Sequence, residues 1–250
     1  APLPESEILS FREKNLHKDD LDKVIFFWNN RNARRKQSGS LIFWFKKFLD
    51  DIGHDKAQLI MHTDPKDPHG QDLNHIVERL RLNTQRQVLF STQKVGQQDL
   101  SALYNMVDCT INISDAEGFG LATLESMSCG TPIIANMTGG LQEQVVLGSD
   151  ATGIPLIPES KAIIGSQDVP YIYEDRLSEA QVVDALKKMY ALGKEGRKEM
   201  GLKGREHVMK NYNFETFNKQ WVDIMTEIHE EEGSWDTRTN YHGIRFLEVA

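Results

Sequence analysis

Short apolar runs alternate with amphipathic stretches from Lys23 to about Gly148, and the connections between them are short. The apolar runs are Lys23–Trp28 (KVIFFW), Ala57–His62 (AQLIMH), Gln87–Ser91 (QVLFS), Cys109–Ser114 (CTINIS) and Pro132–Ala135 (PIIA). Their apolar residues are continuous rather than every second one, so each strand is expected to be buried on both faces, as in a parallel sheet. Helical stretches fall between them: Ser40–Gly53, with Ser40 as N-cap and Gly53 as C-cap; Asp72–Leu82, capped by Asp72; Gln97–Val107; Leu121–Cys129; and one opening at Gly139–Gly140. Strand and helix in strict alternation predict an α/β fold with a doubly wound parallel sheet. Ligands of such sheets bind at the carboxyl ends of the strands.

The flanks differ. Residues 1–22 read as a Pro-containing lead and a short charged helix. Ala151–Asp175 is irregular and Pro-bearing, with one short strand expected. Helices are expected over Ser178–Leu192, Glu195–Asn211 and Phe214–Glu231, and the tail Gly233–Ala250 is expected to pack back onto the body. With 250 residues, 39% of them hydrophobic, the chain can bury a sizeable core as a single domain. A net charge of −8 argues against nucleic acid as a partner. No apolar run is long enough to span a bilayer. The polar first 22 residues do not read as a signal peptide. Cys109 and Cys129 sit in or beside apolar elements, which predicts buried, reduced thiols in a reducing, cytoplasmic compartment. The chain begins at Ala1 rather than Met and is expected to be a piece of something longer.

Three strand ends concentrate chemistry. After Cys109–Ser114 comes DAEGFG, so Glu117, Gly118, Phe119 and Gly120 lie on the carboxyl rim. The following helix offers unpaired amides and a dipole that favours an anion, and the glycines let a ligand approach the backbone. Glu117 and Glu125 can accept from hydroxyl groups. Anion-binding amides beside two such carboxylates suit a ligand with both a diphosphate and sugars, such as a nucleotide sugar. The alternative is a turn glutamate and a solvated helix glutamate. After the first strand, Arg31, Arg34, Arg35 and Lys36 place four cations within six residues. They suit phosphate oxygens; the alternative is a solvated basic loop. After the strand at Pro132–Ala135, Gly139 and Gly140 open a helix whose amides can face the same ligand. Glu143 fits either a structural or a functional role there.

These residues resemble the retaining glycosyltransferases of the GT-B fold, group 1. Glu117 to Glu125 matches their E-x7-E signature, and EGFGLATLESMSCGTPIIA follows their consensus closely. NNRNARRK is similar to their strand-end Arg and Lys, GGLQEQV to their Gly-Gly-x-x-Glu turn, and NYNFETFNKQW (Asn211–Trp221) to the start of a late helix. The resemblance covers residues 23–148 well and the later helices loosely. It implies a Rossmann-like, nucleotide-sugar-binding C-terminal half with extra C-terminal helices. Arg31 and Lys36 would bind and stabilise the leaving diphosphate, and Glu117 would hold donor-sugar hydroxyls. The backbone of Gly118, Phe119, Gly120 and Leu121 would face sugar and phosphate, and Glu125 would bind the ribose. No metal or other cofactor is implied beyond the donor substrate. Ala122 replaces the family's proline at a first helical turn, a tolerable change.

The resemblance also implies a second, N-terminal domain that binds the acceptor, for which there is no room before Arg31. The implied partners are therefore a nucleotide sugar, a glycan, lipid or small-molecule acceptor, and that missing domain or a partner chain. The longer protein is expected to be cytoplasmic or peripheral to a membrane. A second reading is a non-catalytic nucleotide-sugar-binding module that needs a separate acceptor-binding chain. A third, a relative such as an epimerase or a pyridoxal-phosphate phosphorylase, is disfavoured by the intact Glu117/Glu125 and Arg31/Lys36 sets. Elsewhere, His62–Asp72 carries two His and three Asp in a spacing that matches no metal template, and reads as a turn-rich loop. His62 and Thr63 are expected to line the cleft, and Ser91, Thr92 and Gln93 to flank a base. Trp28, Phe43, Trp44 and Phe45 are expected in the core. Tyr171 and Tyr173 are expected to meet a missing domain or partner.

Overall fold

A computed structural model describes residues 1–146 and 148–237. Its backbone divides into two compact units, residues 1–208 and the segment from Met209 onward. The first unit is built on six parallel strands: β1 (Val24–Asn29), β2 (Ala57–His62), β3 (Val88–Ser91), β4 (Cys109–Asn112), β5 (Ile133–Asn136) and β6 (Gly153–Leu156). They lie in the order β3-β2-β1-β4-β5-β6. The helices between them are α2 (Ser38–Ile52), α3 (Leu73–Arg79), α4 (Gln97–Met106), α5 (Leu121–Ser128) and the four-residue α6 (Leu141–Gln144), with α1 (Glu5–Asn15) ahead of the sheet. The predicted doubly wound, Rossmann-like α/β fold is the one observed.

Solid apolar strands find a face on each side. Phe26 and Trp28 of β1 point into one layer with Leu41, Phe45 and Phe48 of α2 and with Val182, Leu186 and Met189 of α7 (Glu179–Ala191). Ile25 and Phe27, their alternates, meet Leu103, Tyr104 and Met106 of α4 in the other layer. All four β1 side chains are fully buried. Phe26 packs edge-on against Phe45 and Phe48, at 5.9 and 5.6 Å between ring centroids. Trp28 and Phe45 are thus core as expected, Trp44 packs at its margin, and Phe43 is a correction. Phe43 faces out, one helical step off the buried stripe, with Lys47 over its ring. Both cysteines are free and buried.

The boundaries show what local signals can and cannot place. Asp72 caps α3, accepting from the His75 amide at 3.1 Å, and Gly53 ends α2 at φ 107°. Ser40 does not cap α2. The helix starts two residues earlier, after Gln37 in the left-handed region at φ 56°, and the Ser40 hydroxyl donates to the Gln37 side chain. The segment expected to be irregular holds three strands instead of one: β6 completes the sheet, and β7 (Ser160–Ile163) pairs antiparallel with β8 (Tyr173–Arg176). Pro155 is tolerated in β6 because that strand lies at the sheet edge. Ser178 caps α7 with a full capping box to Gln181. Helix α8 covers Gly193–Asn211.

In the second unit, α9 (Phe214–Glu232) carries Phe214, Phe217, Trp221, Ile224, Met225 and Ile228 exposed along one stripe. The tail expected to pack onto the body lies, from residue 238, outside the described residues. Among the described residues no helix is long and apolar enough to cross a membrane.

Candidate functional site

The strand order reverses between β1 and β4, which leave from the sheet centre to opposite sides. A crevice forms at the carboxyl ends of such a pair. The loop after β1 carries the four cations, and the loop after β4 carries Glu117. The chemistry-bearing sequences therefore meet where this topology opens a cleft.

The two loops are bonded backbone to backbone, the Asp115 amide donating to the Arg35 carbonyl at 2.7 Å. Lys36 closes a 3-10 turn, Arg34–Lys36, and is buried with its Nζ 2.5 Å from Glu117 Oε2. Arg35 donates to the same oxygen at 3.0 Å and to the Ala116 carbonyl. Burial pushes the Lys36 ammonium below its ordinary pKa, and Glu117 opposes that shift. Arg31 goes elsewhere. It donates to Asp67 at 2.6 and 3.2 Å, contacts His69 Nδ1 at 2.7 Å, and holds the Asp67 carboxyl well below the usual range. The cation beside Lys36 at Glu117 is Arg35, not Arg31. Asn32 fixes the start of the turn by donating to the Gln71 carbonyl and accepting from Ser38.

Glu125 is not a free helix carboxylate. It accepts from Tyr104 Oη at 2.8 Å, and Tyr104 accepts from Asn29 Nδ2 at 2.8 Å, at the carboxyl end of β1. Tyr104 is buried, and that burial raises its hydroxyl pKa far out of reach of titration near neutral pH. The chain Asn29–Tyr104–Glu125 thus turns a surface carboxylate toward the rim that holds Lys36. Between the two glutamates, Gly118 and Phe119 are exposed, and Leu121 opens α5 two-thirds exposed. Gly120 stands before α5 at φ 86°, with no side chain capping the first turn. A Cβ on Gly120 would meet Leu141 at 2.5 Å.

Gly139 and Gly140 pack against this loop. The Gly140 amide donates to the Gly118 carbonyl at 3.0 Å, and a Cβ on Gly139 would sit 1.7 Å from the Glu117 carbonyl oxygen. The pair lets α6 close under the Glu117 loop, with the Gly140 amide already engaged. Glu143 lies exposed in α6. At the end of β2, His62 contacts Ser91 at 2.8 Å, and burial lowers its pKa below the ordinary histidine value. Thr63 Oγ1 is buried without a partner. Ser91, Thr92 and Gln93 line a cavity of about 410 Å3 with Phe90, Phe11 and Leu103. Among the described residues no three His, Cys, Asp or Glu side chains converge as a metal site.

Sequence reasoning missed Tyr104, Arg35 as the second partner of Glu117, and Asp115. Tyr104 is one apolar-face residue among several, and only the fold reveals its hydroxyl contact. Asp115 was visible in DAEGFG, but its partners are distant in sequence.

The class the structure defines is a Rossmann-like α/β protein with cations and carboxylates gathered at the strand ends where the sheet order reverses. The sequence profile of the glycosyl transferases, group 1, matches residues 11–202, and the chain belongs to that family. N-acetyl-alpha-D-glucosaminyl L-malate synthase of Bacillus anthracis is 26% identical over 207 residues, 82% of this chain and 45% of that protein. Among solved structures, sucrose-phosphate synthase of Thermosynechococcus elongatus superposes with a TM-score of 0.68 at 23% identity, covering 92% of this chain and 50% of that one. Anabaena HepE, in complex with UDP and glucose, gives 0.67 at 16% identity, covering 90% and 53%. The chain thus spans about half the length of the proteins it matches. The structural likeness carries the fold, that of one half of a GT-B glycosyltransferase.

Proposed function

We propose that this chain is the donor-binding half of a retaining glycosyltransferase that moves a hexose-type sugar from a nucleoside-diphosphate donor to an acceptor held by another domain or chain. The observation that carries this reading is Lys36, with Arg35, set against Glu117 at the switch point beside the uncapped first turn of α5. That arrangement offers cations and backbone N–H groups to a diphosphate, and a carboxylate to sugar hydroxyls a few ångströms away.

In this reading the donor's diphosphate takes Lys36 and the α5 amides, and Glu117 turns to the sugar. Arg31 is the further cation, released from Asp67. Glu125, aimed by Tyr104, accepts from the ribose, and the base enters the cavity beside Ser91–Gln93. The bond between anomeric carbon and phosphate oxygen breaks, and its electron pair stays on the diphosphate. The acceptor oxygen adds to the same face of the sugar, and its proton passes to the departing phosphate oxygen. The cations stabilise the charge that develops on that oxygen. The alternative, a non-catalytic donor-binding module serving a separate acceptor-binding chain, draws on the half-length coverage of the relatives.

The test compares nucleosides with their diphosphates by calorimetry on the parent and on Lys36→Ala. The diphosphate should add affinity in the parent and much less in the variant. Equal gains in both would remove Lys36 from the phosphate site.

A further inference from the structure

The hairpin β7–β8 pairs with no strand of the main sheet, and its far strand is nevertheless welded to the candidate site. Glu174 is only 4% exposed on an otherwise superficial strand. Its carboxylate receives both guanidinium forks of Arg34, at 2.8 and 2.6 Å, and Arg176 approaches it at 3.1 Å. The Asp175 amide donates to the Asp115 carbonyl at 2.9 Å. Arg176 also donates to the Asp115 carboxylate, which accepts from Gln37 Nε2 at 2.6 Å. Asp115 is 2% exposed, and its own amide holds the Arg35 carbonyl. Three consecutive hairpin residues thus reach into both loops that carry Lys36 and Glu117.

The need for such a clamp is electrostatic. Four cations within six residues repel one another, and a turn that carries them does not hold one geometry without counter-charges. Glu117 serves Arg35 and Lys36, and Asp67 serves Arg31. Glu174 serves Arg34. Asp115 meanwhile fixes Gln37, whose left-handed backbone at φ 56° is a conformation that needs outside support. Bidentate pairing with Arg fixes orientation as well as distance.

We propose that the β7–β8 hairpin is a positioning element of the donor site. Glu174 acts through Arg34, and Asp115 through Gln37 and the Arg35 carbonyl, to hold the Arg34–Lys36 turn so that Lys36 and Arg35 face Glu117. The inference rests on the reading of that cation pair as diphosphate ligands. Glu174 and Asp115 act through other groups and are positioning residues, not catalytic ones.

The test is calorimetric titration of the whole chain with UDP, GDP and ADP and with the matching nucleosides, for the parent, Glu174→Gln, Arg34→Gln and the double variant. Glu174→Gln should lower diphosphate affinity about tenfold, the scale of one charge-assisted hydrogen bond, and leave nucleoside affinity unchanged. The double variant should lose no more than the larger single loss, because the two residues act as one unit. Should Glu174→Gln fail to fold, Arg34→Gln carries the same test, since the Arg34 side chain is largely exposed. Parent-like diphosphate binding by the variants, additive losses, or equal losses for nucleoside and diphosphate would each overturn the inference while the donor site stands. A parent that binds none of the three diphosphates overturns the donor-site reading and this inference with it.

Discussion

Lys36 is the residue on which the account turns. It is a buried ammonium with one carboxylate partner, and an anion that approaches it replaces solvent the side chain has already lost. Lys36→Ala should weaken nucleoside-diphosphate binding by roughly 10- to 100-fold, the range of a hydrogen bond to a charged group, without unfolding the chain. Glu125→Ala should also weaken it, through loss of the carboxylate that Tyr104 holds at the rim. Calorimetry beside thermal melts separates these outcomes from misfolding. Parent-like binding by both variants would put the pocket elsewhere.

The same residue sets a pH dependence. Burial lowers the Lys36 pKa in the folded chain below its ordinary value of 10.5. Between the two values the unfolded state binds more protons, so this group makes stability rise with pH in that window. Ligand binding runs the other way, because a diphosphate needs the charged form. Diphosphate affinity should fall as pH rises through the lowered pKa, earlier than a free lysine would titrate, and should stay flat in Lys36→Arg, since arginine keeps its charge. A parent profile that begins to fall only at the ordinary lysine value of 10.5, or the same fall in Lys36→Arg, would contradict this assignment.

Among the elements, the loop after β4 and the turn before α6 form one unit, because Gly139 lies against the Glu117 carbonyl. Gly139→Ala places a Cβ in that contact at φ 51° and should cost about 2 kcal/mol or more, with loss of diphosphate binding. Gly118→Ala adds a methyl to open space at a backbone that does not need glycine, and its melting temperature should match the parent. Helix α2 gives a parallel contrast. Phe45→Ala opens a hole between α2 and β1 and should cost about 3–5 kcal/mol. Phe43→Ala, on the exposed side, should stay within about 0.5 kcal/mol. Equal melting shifts for the two would mean that α2 packs with a different face.

These elements also show which parts of the chain were legible. Continuous apolar runs such as VIFFW and AQLIM placed five of the six strands, since burial on both faces leaves no alternation to misread. Asp72 and Gly53 marked helix ends through chemistry local to each. Sheet strand β6 and the hairpin were not legible. Their sequences are short and Pro-bearing, and partners distant in the chain decide their structure. The start of α2 was misplaced because Gln37, which has no glycine signal, takes a left-handed turn held by Asp115. In the site, motif residues were visible and their pairing was not. The family resemblance implies one diphosphate for Arg31 and Lys36; the ion pairs they make in the structure, Arg31 with Asp67 and Lys36 with the Glu117 that Arg35 also meets, are not in the motif.

For the whole molecule, the strand order puts the cleft between the loops of β1 and β4, and the hairpin braces both loops from outside the sheet. A chain of net charge −8 thereby keeps a local cluster of cations at one rim. The family is that of the group 1 glycosyl transferases, and the chain covers about half of the relatives it matches. The central claim is that side chains and helix amides alone provide the diphosphate site. It is tested most directly by titrating this chain with UDP, GDP and ADP, once with magnesium and once with a chelator. The account predicts that one of the three binds with the same affinity in both buffers, naming the nucleotide of the donor. Binding that appears only with magnesium, or none to any of the three, would contradict it.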